Sequence, residues 1–184
     1  TTGIGCPAMI PVGGRPVAYW TLRYLRDLGL RKFVFAVAER GLYVEEYVNY
    51  VIDSECDVRF IKPSVDGGLG RTVYELAELV ETKSALIVFG DTFFRFHDPS
   101  VLRTDAPAVL VHPVDEPFRW CTVEVDANNQ VTALHDKETN QSIPQSALIG
   151  VYYLPDAGRL RDASRKAVES ARGKIELSAI LENL

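Results

Sequence analysis

An α/β fold, a mostly parallel sheet between two helical layers with an antiparallel portion appended, is what this 184-residue sequence predicts. Three observations predict it. Apolar strand-like runs alternate with helical periodicities over residues 16–91, the order that gives a parallel sheet covered on both faces. The run Ala85-Leu86-Ile87-Val88-Phe89 is apolar without alternation, as strands buried on both faces are, and it ends at Gly90-Asp91. After about residue 105 the pattern switches to alternating strands around Ala127-Asn128-Asn129, a hairpin-turn sequence.

Each element follows from its own residues. From Pro16 to Leu28, apolar Val17, Trp20, Leu22, Leu25 and Leu28 recur near helical spacing, Pro16 suits the first turn, and Gly29 suits a helix C-cap. Residues Lys32 to Ala38 read as a buried strand through Phe33, Val34, Phe35, Ala36 and Val37. A helix follows from Leu42 to Ile52, with Tyr43, Tyr47, Val48 and Val51 assigned to one face, then a short strand from Val58 to Ile61. A second strong helix runs from Arg71 to Glu81 and leads into the strand that ends at Asp91. Ala108 to His112 is apolar; Thr122 to Asp126 and Gln130 to His135 alternate; Ala147 to Leu154 is a further strand. The chain then reads as helix from Gly158 to Ala171 and from Glu176 to Leu184.

Composition narrows the function classes. Hydrophobic residues at 47% and charged residues at 24% are ordinary globular usage, and with no repeat, linker or low-complexity tract residues 1–184 are expected to form one domain. The net charge of -5 gives no electrostatic reason to expect a nucleic acid partner. No signal-peptide, membrane-span or lipidation pattern is present, so a cytoplasmic protein without a membrane partner is expected. Cys6, Cys56 and Cys121 are odd in number and lack metal-ligand spacing, which argues against a disulfide framework or a zinc site and suits a reducing compartment. His97, His112 and His135 are equally scattered and read as surface or packing residues.

Asp91 is the residue that points to chemistry. Ligands of open α/β sheets sit outside the carboxyl ends of the strands, which is where this carboxylate falls. Mg²⁺ is usually held by one or two carboxylates together with substrate phosphates, so Asp91 is a candidate metal ligand. The plainer alternative is an aspartate that caps the next turn. Asp66-Gly67-Gly68-Leu69-Gly70-Arg71 precedes a helix but is neither GxGxxG nor a Walker loop, which disfavours dinucleotide binding and P-loop chemistry. Such glycines let backbone amides approach a ligand, or simply make a flexible turn. Gly150 in a strand reads either as a point of close backbone approach or as a bulge.

The order of these segments resembles the sugar-1-phosphate nucleotidyltransferase family, enzymes of GT-A-like, Rossmann-like fold that make nucleotide sugars. Pro11-Val12-Gly13-Gly14-Arg15-Pro16-Val17 is similar to the family's "PVGGKP" segment, and Asp91 in Val88-Phe89-Gly90-Asp91 matches its metal-binding aspartate. Trp120-Cys121-Thr122-Val123-Glu124-Val125-Asp126 lies where the family has a "YGVVEFD"-like strand. His135-Asp136-Lys137 resembles the "EKP" step and Ile149-Gly150-Val151-Tyr152 the "NAGIY" strand. The resemblance covers nearly all of the chain in the right order. It implies a Mg²⁺-dependent reaction in which the phosphate of a sugar-1-phosphate attacks the α-phosphorus of an NTP, giving an NDP-sugar and pyrophosphate. By the same resemblance Arg15 and Asp91 are catalytic, with Asp91 on the metal, and Gly3, Gly5, Gly67, Gly68 and Gly70 bind the nucleotide. Lys137, Gly150 and Glu176 would hold the sugar phosphate, Lys137 as a point charge, although a solvated lysine beside Asp136 and Glu138 is an equal reading. NTP and sugar-1-phosphate are then the partners, in a setting that admits a homo-oligomer or a larger polypeptide.

Departures from the family pattern carry their own expectations. The family opens with a strand and a loop like "AAGxGTR"; here Thr1-Thr2-Gly3-Ile4-Gly5 keeps the glycines without the arginine, and Cys6-Pro7 stands where "PK" has its lysine. Both missing cations would stabilise the triphosphate and the transition state. The resemblance therefore implies a domain that lacks the first strand and the C-terminal part of the full family domain, and a slow or inactive catalyst. A catalytically degenerate nucleotide- or sugar-binding regulatory or scaffold domain is the alternative. A GT-A glycosyltransferase ranks last, because Phe93 stands where a DxD pair would need its second carboxylate.

Overall fold

The computed structural model describes residues 6–38, 41–138 and 144–184. A three-residue 3₁₀ turn, Pro7–Met9, leads into a two-strand hairpin of β1 (Pro11–Val12) and β2 (Arg15–Pro16). The hairpin feeds α1 (Val17–Asp27), which is followed by β3 (Lys32–Ala36), α2 (Leu42–Val51), β4 (Asp57–Ile61), α3 (Gly68–Ala77) and β5 (Ala85–Val88). Next come β6 (Ala108–Pro113), β7 (Cys121–Val125), β8 (Val131–Asp136), β9 (Ser146–Leu154), α4 (Ala157–Ser170) and α5 (Ser178–Leu181). Every strand and helix read from the sequence is present, with shifted ends. The last helix is the most shortened, to Ser178–Leu181: at its start Ile175 is hydrogen-bonded to Gly67 and Gly70 at the head of α3, and at its end residues 182–183 form a turn.

Pairing adds what periodicity does not carry. The parallel pair is β3 with β4, in register from Lys32 opposite Asp57 to Ala36 opposite Ile61. A larger sheet is centred on β9, which pairs antiparallel with β5, β6 and β7, while β7 pairs antiparallel with β8. The fold is thus the expected mixed α/β type with a parallel and an antiparallel part. The strand ending near Asp91 differs in one respect: its observed partner, β9, runs antiparallel. A continuous apolar run reports packing on two faces, and β5 is half-buried against both cores, but the run says nothing about the partner's direction.

Helices cover both faces. Val73 and Ala77 of α3, Leu160, Ala163 and Ala167 of α4, and Ile180 of α5 pack on Val123, Leu148, Tyr152 and Leu154 of the large sheet, with Ala85 and Ile87 beside them. On the opposite side Leu22 and Leu25 of α1, Val44 and Val48 of α2, Phe33 and Phe94 enclose Val151, with Leu86 and Val88 beside them. Successive residues of β5 and β9 therefore enter different cores, as strand geometry requires. The α4 helix starts on a true cap: the Asp156 carboxylate accepts from the Gly158 and Arg159 amides at 2.8 and 3.3 Å. No helix among the described residues is long and apolar enough to cross a membrane.

Candidate functional site

Asp91 follows β5 in a tight turn, and its carboxylate is exposed. The turn is closed by the Thr92 amide donating to the Phe89 carbonyl at 3.1 Å. Phe89 in turn donates its amide to the Gly150 carbonyl at 2.8 Å. Gly150 has φ +82°, and a Cβ there would lie 2.6 Å from the Phe89 ring, so the glycine in this strand is required by an aromatic ring of the Asp91 turn. β9 also slips register against β6 between Val109 and Val111, the bulge that a glycine in a strand announces. On the other side, a Cβ on Gly90 would come within 3.3 Å of the Ala8 side chain, which brings the turn headed by Cys6 and Pro7 against the Asp91 turn. Three segments singled out in the sequence thus meet at one place.

Gly67, Gly68 and Gly70 form a second locus. α3 begins at Gly68, three residues earlier than its apolar periodicity indicates, because the glycines belong to its first turn. Gly68 has φ +74°, and Cβ atoms on Gly68 and Gly70 would sit 2.7 Å from the Ile175 carbonyl and 2.5 Å from the Ile175 side chain. Backbone bonds weld this contact: the Gly70 amide donates to the Ile175 carbonyl at 2.7 Å, and the Ile175 amide to the Gly67 carbonyl at 3.0 Å. The outer side of the loop borders an open cavity of about 700 Å³ lined in part by Ser64, Asp66, Gly67, Arg71 and Gly173. Arg71 is already engaged there, 3.2 Å from Glu75. Burial pushes the Glu75 carboxyl upward, but bonds from Ser64 and Arg71 leave it below the usual range.

The third locus is the end of β8. Lys137 has φ +55°, a left-handed conformation that costs a non-glycine residue, and its amide donates to the Trp120 carbonyl at 3.0 Å. Its ammonium lies 3.9 Å from Glu176, the residue after Ile175, so two residues expected at the sugar phosphate do come together. Asp136 accepts from the Ser178 hydroxyl at 2.6 Å and stands opposite Cys121. Burial, reinforced by Asp136 and Glu182, pushes the Cys121 thiol up to about 11, so it is not a thiolate nucleophile at neutral pH. Next to it His135 bridges two carboxylates, Glu138 at 3.2 Å and Glu124 at 3.0 Å, and the Glu138 bond above all holds its pKa above the ordinary histidine value.

Arg15 sits exposed on the β1–β2 hairpin with its guanidinium 5.3 Å from the Tyr19 ring, and no hydrogen bond or ion pair ties it to Asp91 among the described residues. Gly3 and Gly5 lie outside the described residues. No cluster of three or more His, Cys, Asp or Glu side chains suited to a metal occurs among the described residues. A lone hard carboxylate fits Mg²⁺ only where the ion's remaining ligands are phosphate oxygens and water. Sequence reasoning missed Thr92, Thr21, Ile175 and Ser178. All four act through contacts to residues distant in the chain, and only Thr92, next to the Gly90-Asp91 step, had any local signal.

Comparison with known proteins agrees with the motif order. Over 177 residues the chain is 23% identical to "Bifunctional protein GlmU" of Methanococcus aeolicus, covering 96% of this chain and 41% of that protein. It is also 23% identical over 180 residues to "Glucose-1-phosphate thymidylyltransferase" of Neisseria meningitidis, covering 92% and 60%. The chain thus spans between about two fifths and three fifths of the length of these curated relatives. Among solved structures, a UDP-glucose pyrophosphorylase in complex with UDP-glucose superimposes with TM-score 0.79 at 14% identity, covering 95% of this chain and 76% of that one. HddC from Yersinia pseudotuberculosis superimposes with TM-score 0.68 at 17% identity, covering 95% and 84%. At these identities the structural likeness establishes the fold. The nucleotidyl transferase family profile, by contrast, matches the sequence itself over residues 2–184, and the chain belongs to that family.

Proposed function

We propose that this domain binds an NTP and a sugar-1-phosphate and transfers the nucleotidyl group between them, giving an NDP-sugar and pyrophosphate. The observation that carries the reading is the convergence on the Asp91 turn of Gly150 and of the Pro7–Met9 turn. The chemical demand is to bring two anions together in line, so charge must be neutralised and both partners held. Asp91 would hold Mg²⁺, which would supply charge neutralisation and orientation. Lys137 offers a point charge to the sugar phosphate, exchanging its long contact to Glu176 for a doubly ionised ligand. Glu176, released from Lys137, is then free to accept from sugar hydroxyls. In the first turn of α3 Gly70 donates its amide to Ile175, so the Gly68 and Leu69 amides are those offered to the nucleotide.

Calorimetric titration with ATP, CTP, GTP, UTP and dTTP, with and without Mg²⁺, tests the reading on wild type and on Asp91→Asn, which keeps volume and removes charge. Mg²⁺-dependent nucleotide binding is expected in the wild type and is expected to vanish in the variant. Equal binding by both forms would reduce Asp91 to a turn residue. One observation favours a second reading, a domain that binds these ligands without turnover. The turn that abuts Gly90 carries Cys6 and Pro7, neither of them a cation, where the family pattern has its lysine. Removing one preorganised stabiliser of developing charge costs roughly 3 kcal/mol, on the order of a hundredfold or more in rate. Pyrophosphate release with glucose-1-phosphate decides between the two: binding with no release supports the second, robust turnover the first.

A further inference from the structure

We infer that Thr92 is the positioning residue for the Asp91 carboxylate, acting by pinning the Asp91 turn to β9 and to α1 at once. The inference rests on the reading of Asp91 as the residue that meets metal-bound phosphate. Asp91 itself is exposed, and its carboxylate makes no hydrogen bond or ion pair among the described residues. Its place is therefore set by its backbone. Thr92, the next residue, is half-buried and makes contacts in two directions. Its hydroxyl donates to the Ile149 carbonyl at 2.9 Å, and its own carbonyl accepts from the Thr21 hydroxyl of α1 at 3.1 Å. Its amide closes the turn onto Phe89 at 3.1 Å.

The local structure of β9 is built to receive that hydroxyl. The register slip opposite Val109 to Val111 and the left-handed Gly150 at φ +82° break the regular pairing of β9 with β6 at this point, while toward β5 the register runs on from Val88 opposite Val151 to Phe89 beside Gly150. An irregular strand leaves backbone groups that need partners outside the ladder. The Ile149 carbonyl takes Thr92, and the Gly150 carbonyl takes the Phe89 amide at 2.8 Å. Adjacent carbonyls of one bulge thus hold both flanks of the two residues, Gly90 and Asp91, that lie between Phe89 and Thr92. A hydroxyl is needed at position 92; a β-branched side chain alone would fill the same volume and leave the Ile149 carbonyl unpaired.

The test uses the whole chain and a binding readout. The five NTPs named above are titrated calorimetrically into wild type, Thr92→Val, Thr92→Ser and Asp91→Asn, each with and without Mg²⁺, and Mn²⁺ binding in the presence of nucleotide is followed by water-proton relaxation. Partners that orient a metal ligand typically contribute tenfold to a hundredfold in metal affinity. Thr92→Val is accordingly expected to weaken the Mg²⁺-dependent part of nucleotide binding by roughly tenfold or more, to leave metal-free nucleotide binding unchanged, and to be rescued by Thr92→Ser. Thr21→Val, which removes only the bond from α1, should weaken it less and serves if Thr92→Val does not fold. Full metal-dependent binding by Thr92→Val, or by Thr21→Val where it stands in, would overturn the positioning role, as would loss in Thr92→Ser equal to that in Thr92→Val. If Asp91→Asn keeps the metal-dependent binding, the reading of Asp91 falls instead, and the inference falls with it.

Discussion

Lys137 holds a backbone conformation that a lysine pays to adopt, and replacing it separates what its backbone does from what its charge does. An L-residue in the left-handed region costs about 1–2 kcal/mol, a cost glycine does not bear. Glycine brings its own penalty of roughly 0.5–1 kcal/mol in additional chain entropy lost on folding. The ion pair to Glu176 is long, at 3.9 Å, with both side chains more than half exposed, so its loss removes at most a few tenths of a kcal/mol. Lys137→Gly should therefore stabilise the fold by about 0.5–1 kcal/mol. For a domain of this size 1 kcal/mol moves Tm by about 2–4 °C, so a rise of roughly 1–4 °C in differential scanning calorimetry is expected. Lys137→Ala removes the charge but keeps the left-handed cost, and should show no such rise. A fall in Tm for Lys137→Gly, or equal rises in both variants, would refute the strain argument. Both variants should lose affinity for glucose-1-phosphate. A variant of raised Tm and intact affinity would make Lys137 a turn residue and end its proposed role as a point charge.

Other perturbations follow from the same geometry. Thr122 is fully buried and its hydroxyl finds no partner among the described residues, so Thr122→Val should stabilise the protein by about 1–2 kcal/mol, read as a shift of the urea midpoint at constant slope. His135 carries a raised pKa because Glu138 and Glu124 favour its charged form. Its stabilising effect is accordingly complete below the ordinary histidine pKa and lost as pH climbs through the higher folded-state value. The Tm difference between wild type and His135→Gln should therefore shrink from pH 5.5 to pH 9, and a difference that grows over this interval would refute the assignment. Gly70→Ala forces a methyl within 2.9 Å of the Ile175 carbonyl and 2.7 Å of the Glu176 carbonyl. Overpacking of this kind costs typically 1–3 kcal/mol, and Glu176 should be displaced with it, which under the proposed function is read as a weaker glucose-1-phosphate affinity.

The sequence disclosed the elements well because their signals are local. Val17, Leu22 and Leu25 are buried on α1 as their spacing requires, and Asp126 closes the β7–β8 turn by accepting from the Asn128 and Gln130 amides at 2.8 and 2.9 Å. Asn129, with φ +59°, takes the left-handed position that its residue type tolerates best. Contacts between distant segments were not legible. Nothing local to Gly68 and Gly70 says that residue 175 will lie across them, and nothing near Gly150 names Phe89. A glycine advertises that something comes close. It carries no record of what.

That distinction changes how loss of function at these glycines should be interpreted. Had Gly68, Gly70 and Gly150 been open toward a ligand, an added methyl would act by blocking the ligand. Here the nearest atoms to such a methyl are protein atoms: the Ile175 backbone at 2.7 Å for Gly68, the Ile175 side chain at 2.5 Å for Gly70, and the Phe89 ring at 2.6 Å for Gly150. A substitution would therefore move Glu176 or the Asp91 turn before it met any substrate. Under the proposed function the effect would spread to both ligands' sides of the site, since Ile175 precedes the partner of Lys137 and Phe89 opens the turn that carries Asp91. Ligand contact and ligand positioning are separable by the binding pattern: a methyl that blocks one ligand weakens that ligand alone, while a displaced segment weakens everything that segment holds. For Gly150→Ala the proposed function predicts the second pattern, with metal-dependent nucleotide binding lost alongside any loss at the sugar phosphate.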